Sequence, residues 1–228
     1  MDPGIEQALG RHLSQHAECL RAGEERLGWK VAFNAPPVQE RLGLPHSLVA
    51  GMTRSALCDA GQPHSLRGGT RVALEAEIGV TLGSDVRASD ADDVIASAIE
   101  SIGPAIEVID IDRDFAELEQ IVAEGVFRRG VVFGEMRLPP EGTSLDGIRA
   151  RVELAGEEVA DVDAGQATGQ PVAVLRLLAQ ILEPFGEGLQ RGDRIILGSM
   201  NVPPLAKAGS AFTLALEGWQ TLRLEFDE

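Results

Sequence analysis

The stretch RVALEAEIGVTLG (71–83) forms the long strand of this chain, and it sets Glu75 and Glu77 two residues apart in an alternating apolar pattern. A strand repeats every two residues, so both carboxylates leave the backbone on the same face. Two unpaired acids side by side repel each other and lose solvation, so a sheet that keeps them needs compensation. A divalent cation supplies it, and an all-oxygen ligand set suits Mg2+ or Mn2+. Taken alone, the pair also fits a solvated strand face. The rest of the sequence bears on that choice.

With 228 residues, 44% of them apolar, the chain makes one large domain, or one domain with a small N-terminal appendage. The formal charge of −16 argues against nucleic acid and anionic membranes as partners. Cys19 and Cys58 lie far apart without CxxC spacing and read as reduced and structural or incidental. No apolar run approaches the ~18 residues of a membrane span, and MDPGIEQALGRH lacks a basic region followed by an apolar one, so a soluble, cytoplasmic protein is expected. Tyrosine is absent and there are 4 histidines, which removes a tyrosine acid and a histidine-rich metal site.

Residues 5–26 form a helix with a partial apolar stripe, GWKVAFN a strand, and VQERLGLP a short helix stopped at Gly43 and Pro45. Loop and short strands fill 47–70. A helix is expected over 89–102, with Ser89 as N-cap, acids at 90, 92 and 93, and a stop near Gly103-Pro104. AIEVIDI and VVFGEM are the next strands, and residues 149–165 form a hairpin about Gly156-Glu157. Pro171 starts a buried helix, and DRIILGSM, SAFTLALEG and TLRLEF close the chain as strands. Mixed elements with a strand-rich C-terminal half, and no GxGxxG or Walker loop, argue against a doubly wound nucleotide fold.

AIEVIDI adds Glu107, on the same strand face as Ile109, and an intervening helix can bring it beside Glu75 and Glu77. Three carboxylates that leave coordination positions open make an exchangeable, substrate-binding site. The alternative is an acid that merely ends a strand at the surface. Asp110, Asp112 and Asp114 have the look of a calcium loop but lack the glycine and terminal glutamate of an EF-hand. Lys30 interrupts the apolar run GWKVAF, either as an edge-strand gatekeeper or as a fixed ammonium that binds a carboxylate or moves protons.

The chain resembles the 2-keto-4-pentenoate hydratase and 4-oxalocrotonate decarboxylase branch of the fumarylacetoacetate hydrolase superfamily. The resemblance rests on GWKVAFNAPPVQERLG, VALEAEIGVTLGSDV, SIGPAIEVIDID, GVVFG, DAGQATGQPVAVLRLLAQILEPFGEGLQRGDRIILGSM and EGWQTLRLEF, in that order. It implies an α+β fold, the mixed β-roll of that superfamily's C-terminal domain. The catalytic domain would span 27–228 after a short N-terminal helical segment over 1–26. It also implies Glu75, Glu77 and Glu107 as ligands of Mg2+ or Mn2+, and Lys30 as the catalytic lysine. Gly165, Ala167 and Gly169 would line the pocket near a helix N-terminus that favours a carboxylate, with Ser199 and Asn201 facing it from a following turn.

Two segments depart from the pattern. GMTRSAL places Arg54 and Ser55 where family hydratases carry an acidic pair, and EGVFRRGVVFG carries Glu124, Arg128 and Arg129 in place of small polar residues. These substitutions bring Arg54 and Ser55 forward as substrate-binding residues, and any of the three arginines that enters the pocket would favour a dicarboxylate. The activity implied is a metal-dependent hydratase acting on a 2-hydroxy-dienoate or 2-oxo-enoate. The alternatives are a 2-oxo acid decarboxylase, or a non-catalytic homologue serving as a partner subunit. A small carboxylate-bearing 2-oxo acid, homo-oligomers and association with a related lyase complete the expectation.

Overall fold

The computed structural model describes residues 2–138 and 142–228. Helix α1 (Pro3–Arg21) starts where the Asp2 carboxylate accepts from Gly4 N at 2.8 Å, with proline in its first turn. Ile5, Leu9 and Leu13, with His12 and His16, form its buried face, and Leu9 joins the main core beside Trp29 and Leu48. The expected helix to residue 26 ends five residues early, because Arg26 already begins a strand.

Strand β1 (Arg26–Ala32), helix α2 (Pro36–Leu42), β2 (Leu48–Thr53) and the short β3 (His64–Ser65) precede the long β4 (Val72–Leu82). Then come α3 (Asp92–Ala98), β5 (Ile99–Asp110), α4 (Leu118–Ala123) and β6 (Arg128–Phe133). The hairpin β7 (Arg149–Leu154) and β8 (Glu157–Asp163) turns at Ala155 (φ 54°) and Gly156 (φ 83°), the two left-handed residues a tight hairpin requires. Helices α5 (Ala164–Thr168) and α6 (Pro171–Leu182), then β9 (Arg194–Ile196), β10 (Ala211–Leu216) and β11 (Leu222–Asp227) complete the chain.

The strands form two mixed sheets, ordered β2-β1-β9-β4-β5-β6 and β3-β11-β10-β7-β8. Within the first, β1 and β9 run parallel, while β4 and β5 pair antiparallel from Val72↔Asp110 to Leu82↔Ile99. That ladder corrects the helix expected over 89–102. The helix begins at Asp92 with Ala91, not Ser89, at its cap, and at Ile99 the chain passes into strand. Ile99, Ile102, Ile106 and Val108 are all buried there, and pairing along β4 outweighs the local helical pattern. The Gly103-Pro104 pair lies inside β5. The Pro104 carbonyl accepts from Gly134 N at 2.9 Å, so the missing N–H faces the same side, past the last residue of β6.

Candidate metal centre and active-site cavity

Register alone brings the three acids together. Glu75 stands directly opposite Glu107 on the β4–β5 ladder, and Glu77 opposite Ala105, so all three carboxylates share one face. One oxygen from each lies within 4.8 Å of the others. Glu77 and Glu107 are buried at 0% and 1% exposure, while Glu75 opens onto a cavity of about 730 Å³.

The compensation the protein itself provides is partial. Lys30, itself buried, donates to Glu107 Oε1 and, at 2.9 Å, to the Val126 carbonyl. Gly198 N donates to Glu77 Oε2 at 2.7 Å. Glu77 Oε1 and Glu107 Oε2 are buried and accept nothing from the described residues. Burial foremost pushes all three carboxyl groups up. For Glu75 and Glu77 the neighbouring Glu107 charge adds to the rise, bringing Glu75 to about 7, whereas the Lys30 ammonium holds Glu107 back. Three carboxylates facing one ammonium, with two oxygens lacking donors, form an oxygen donor set that fits a hard divalent ion.

Asn34, the last residue of the expected strand GWKVAFN, proves central to the cavity wall. Its amide donates to the Ala167 carbonyl at 3.0 Å and the Ser199 carbonyl at 3.1 Å, and its oxygen accepts from Ser199 N. This joins the end of β1 to α5 and to the turn carrying Gly198. Gly198 sits at φ +115°, and a Cβ there would lie 2.4 Å from Asn34 Cγ, so only glycine permits the close approach. Asn201 and Ser199 line the cavity with their polar atoms engaged. Asn201 accepts from Ala76 N and donates to the Leu74 carbonyl, clasping β4 on either side of Glu75, and the Ser199 hydroxyl donates to the Asn201 carbonyl. Ala167 is on the wall.

Other expected positions lie elsewhere. Gly165 packs against Gln170 and Leu145 below the wall, and Gly169 ends α5 at φ +85°. The helix expected to receive a carboxylate at its N-terminus is α6, whose N-cap Gln170 makes no side-chain cap bond and whose first residue, Pro171, does not line the cavity. The short α5 before it is capped by Asp163 Oδ1, which accepts from Gln166 N at 2.9 Å. Arg54 and Ser55 do not line the cavity. After β2 the chain turns outward, leaving Arg54 64% exposed beside Glu25 and Ser55 bonded to Thr53. Arg128 instead donates to the Gly51 carbonyl, and Arg129 reaches the Ser65 and Arg67 carbonyls. The Asp110 carboxylate accepts from Thr70 and Arg71 N, and Asp114 caps Ala116 N, so these acids secure backbone turns.

Comparison with known proteins gives this geometry its context. The profile of the fumarylacetoacetate (FAA) hydrolase C-terminal family matches residues 14–226. The chain belongs to that family. A 2-hydroxyhexa-2,4-dienoate hydratase from Comamonas testosteroni is 27% identical over 225 residues, covering 95% of this chain and 85% of the relative. A 2-keto-4-pentenoate hydratase from Burkholderia vietnamiensis is 25% identical over 232 residues, covering 99% and 88%. The solved structure of 4-oxalocrotonate decarboxylase from Pseudomonas putida G7, complexed with magnesium and adipate, superimposes with a TM-score of 0.88 at 18% identity. It covers 97% of this chain and 86% of that one. This family member therefore shares the α+β fold of mixed sheets with enzymes of the hydratase and decarboxylase type. No helix among its described residues is long and apolar enough to cross a membrane.

Proposed function

We propose that the protein is a Mg2+- or Mn2+-dependent lyase that adds water to a 2-hydroxy-dienoate or its 2-oxo-enoate tautomer. The observation that carries this reading is the buried acid cluster, with two oxygens lacking donors, at the base of a largely apolar cavity. Glu75, Glu77 and Glu107 would hold the ion. When bound, the ion supplies a Lewis acid for the carboxylate and 2-oxo oxygens of a substrate.

The chain's own residues account for the rest. Lys30 uses two of its three N–H donors on Glu107 and Val126, leaving one for the substrate carboxylate or for moving a proton at Nζ. Phe33, Phe115, Phe127, Ile109 and Val126 wall the cavity, keep bulk water from the hydrocarbon chain and orient it. The net reaction is water plus a 2-hydroxy-dienoate giving a 4-hydroxy-2-oxo acid, with the hydroxyl adding at the carbon conjugated to the 2-oxo group.

A second reading, loss of CO2 from a 2-oxo-enedioate, is favoured by one observation. Glu75 is the sole acid among the described residues that line the cavity, so no separate carboxylate stands ready to activate water. Incubation with Mg2+ and either 2-hydroxypenta-2,4-dienoate or 2-oxohex-3-enedioate, with products followed by proton NMR, separates the two. A 4-hydroxy-2-oxo acid from the first supports hydration, and the 2-hydroxy-dienoate left when the second loses CO2 supports decarboxylation. No turnover of either by protein shown to bind metal would leave the non-catalytic homologue.

A further inference from the structure

Among the described residues, three charged side chains line the cavity: Lys30 and Glu75 at its base, and Arg41. Arg41 lies in the last turn of α2 and is exposed, so it stands at the mouth, whereas the acids are at the buried end. Its guanidinium rests over the Phe115 ring, 5.3 Å from the centroid. Phe115 is braced edge-on by Phe33 at 6.2 Å and Phe127 at 5.8 Å, so the platform under the cation is fixed. No carboxylate among the described residues comes within 4.0 Å of Arg41. The guanidinium is thus held in place by stacking while its N–H fork stays available.

The cavity therefore has two polar ends separated by an aromatic and aliphatic wall. Its base suits the 2-oxo acid head. Its mouth presents a planar cation in a protein whose net charge is −16 and which otherwise repels a dianion. Arg54, Arg128 and Arg129, the arginines the sequence brought forward for this task, all lie outside the wall. We propose that Arg41 is the specificity-determining residue of the cavity, gripping a second carboxylate at the far end of a dicarboxylic 2-oxo or 2-hydroxy-dienoic substrate. The inference rests on the reading of the base as a 2-oxo acid site. A guanidinium pre-positioned on an aromatic face forms paired N–H···O bonds with a carboxylate at little ordering cost.

The test is calorimetric binding of 2-oxoadipate and 2-oxohexanoate to the Mn2+-loaded full chain. The two probes share the head and the six-carbon length and differ in the distal carboxylate. Wild type should bind 2-oxoadipate tighter by on the order of tenfold, the scale of one charge-assisted hydrogen bond. Arg41→Met, which keeps the apolar stem, should bring the ratio to about one without changing 2-oxohexanoate affinity, and Arg41→Lys should keep an intermediate ratio. Equal affinities in wild type, a preference that survives Arg41→Met, or equal weakening of both probes in that variant overturns the role of Arg41 and leaves the proposed function standing. If neither probe binds the loaded wild type, the 2-oxo acid reading of the base fails and the inference fails with it.

Discussion

Lys30 on β1 donates to Glu107 on β5, although β9 and β4 stand between those strands in the sheet. Flat strands three places apart would be separated by roughly 14 Å. The two side chains meet because the sheet curls, and the concave side of that curl holds the acid cluster. Removing Lys30 tests the arrangement. Lys30→Met leaves the Glu107 carboxylate and the Val126 carbonyl buried without this donor, at a cost of about 3–5 kcal/mol for a broken buried pair. Lys30 favours the ionised form of Glu107, so without it the carboxyl rises further, and the loss should be larger at pH 8 than at pH 6, because protonation relieves it as pH falls. Urea unfolding at the two pH values measures this. Turnover should fall sharply while Mn2+ binding persists.

Glu77→Gln should move stability in opposite directions with and without metal. The acids' folded pKa values lie above their ordinary range, so their contribution to stability is full below about pH 4.5 and is lost as pH rises, for Glu75 through about 7. At pH 8 the metal-free protein carries that penalty. Replacing one buried carboxyl group with an isosteric amide should raise metal-free stability by roughly 1–3 kcal/mol, since Gly198 N keeps its acceptor. The same change should remove most of the thermal stabilisation that Mn2+ gives the wild type. A variant that is less stable without metal and equally stabilised by Mn2+ would refute the assignment.

The histidines under α1 carry a pH dependence of the other sign. His12 and His16 are buried and held down to about 4, by desolvation first and then, for His12, by Arg128 and, for His16, by Arg26. Between pH 6.5 and 4 the unfolded chain binds protons that the folded chain refuses, so this contribution is present above 6.5 and lost as pH falls towards 4. The acids slope oppositely over part of that window, so the effect is best read as a difference. From pH 6.5 to 4, the stability of His16→Gln relative to wild type should improve by about 2–3 kcal/mol, as measured by urea unfolding.

How far the site could be read from sequence follows from the range of the forces involved. Glu75, Glu77 and Glu107 were legible because strand periodicity fixes faces locally, and one antiparallel pairing does the rest. Asn34 was not, since its partners Ala167 and Ser199 lie more than a hundred residues away. Arg41 looks in sequence like any cation in a helix's last turn, and only the placement of Phe115 sets it over the cavity. Arg54 shows the converse. Its position in the sequence suggested the pocket, but the turn after β2 points its side chain to solvent. The start of β5 was missed because a helical pattern runs into residues whose strand state is decided by β4.

The segment Gly125-Val126-Phe127 holds three consecutive left-handed residues, at φ 89°, 56° and 61°. For valine and phenylalanine this conformation costs about 1–2 kcal/mol each. It serves the site on both sides, turning the Val126 carbonyl onto Lys30 and laying the Phe127 ring on the cavity wall against Phe115. Phe127→Asn should separate backbone from side chain. Asparagine tolerates the left-handed region, which offsets the apolar burial that disappears with a partly buried ring, so unfolding stability should stay within about 1 kcal/mol of wild type. Ligand binding should not be spared, because the brace on Phe115 and part of the apolar wall are gone. Affinity of the Mn2+-loaded variant for 2-oxohexanoate, whose chain lies along that wall, should drop on the order of tenfold, the scale of one aromatic pairing. A variant that loses stability by several kcal/mol but keeps its affinity would show that the left-handed segment serves the core and not the cavity.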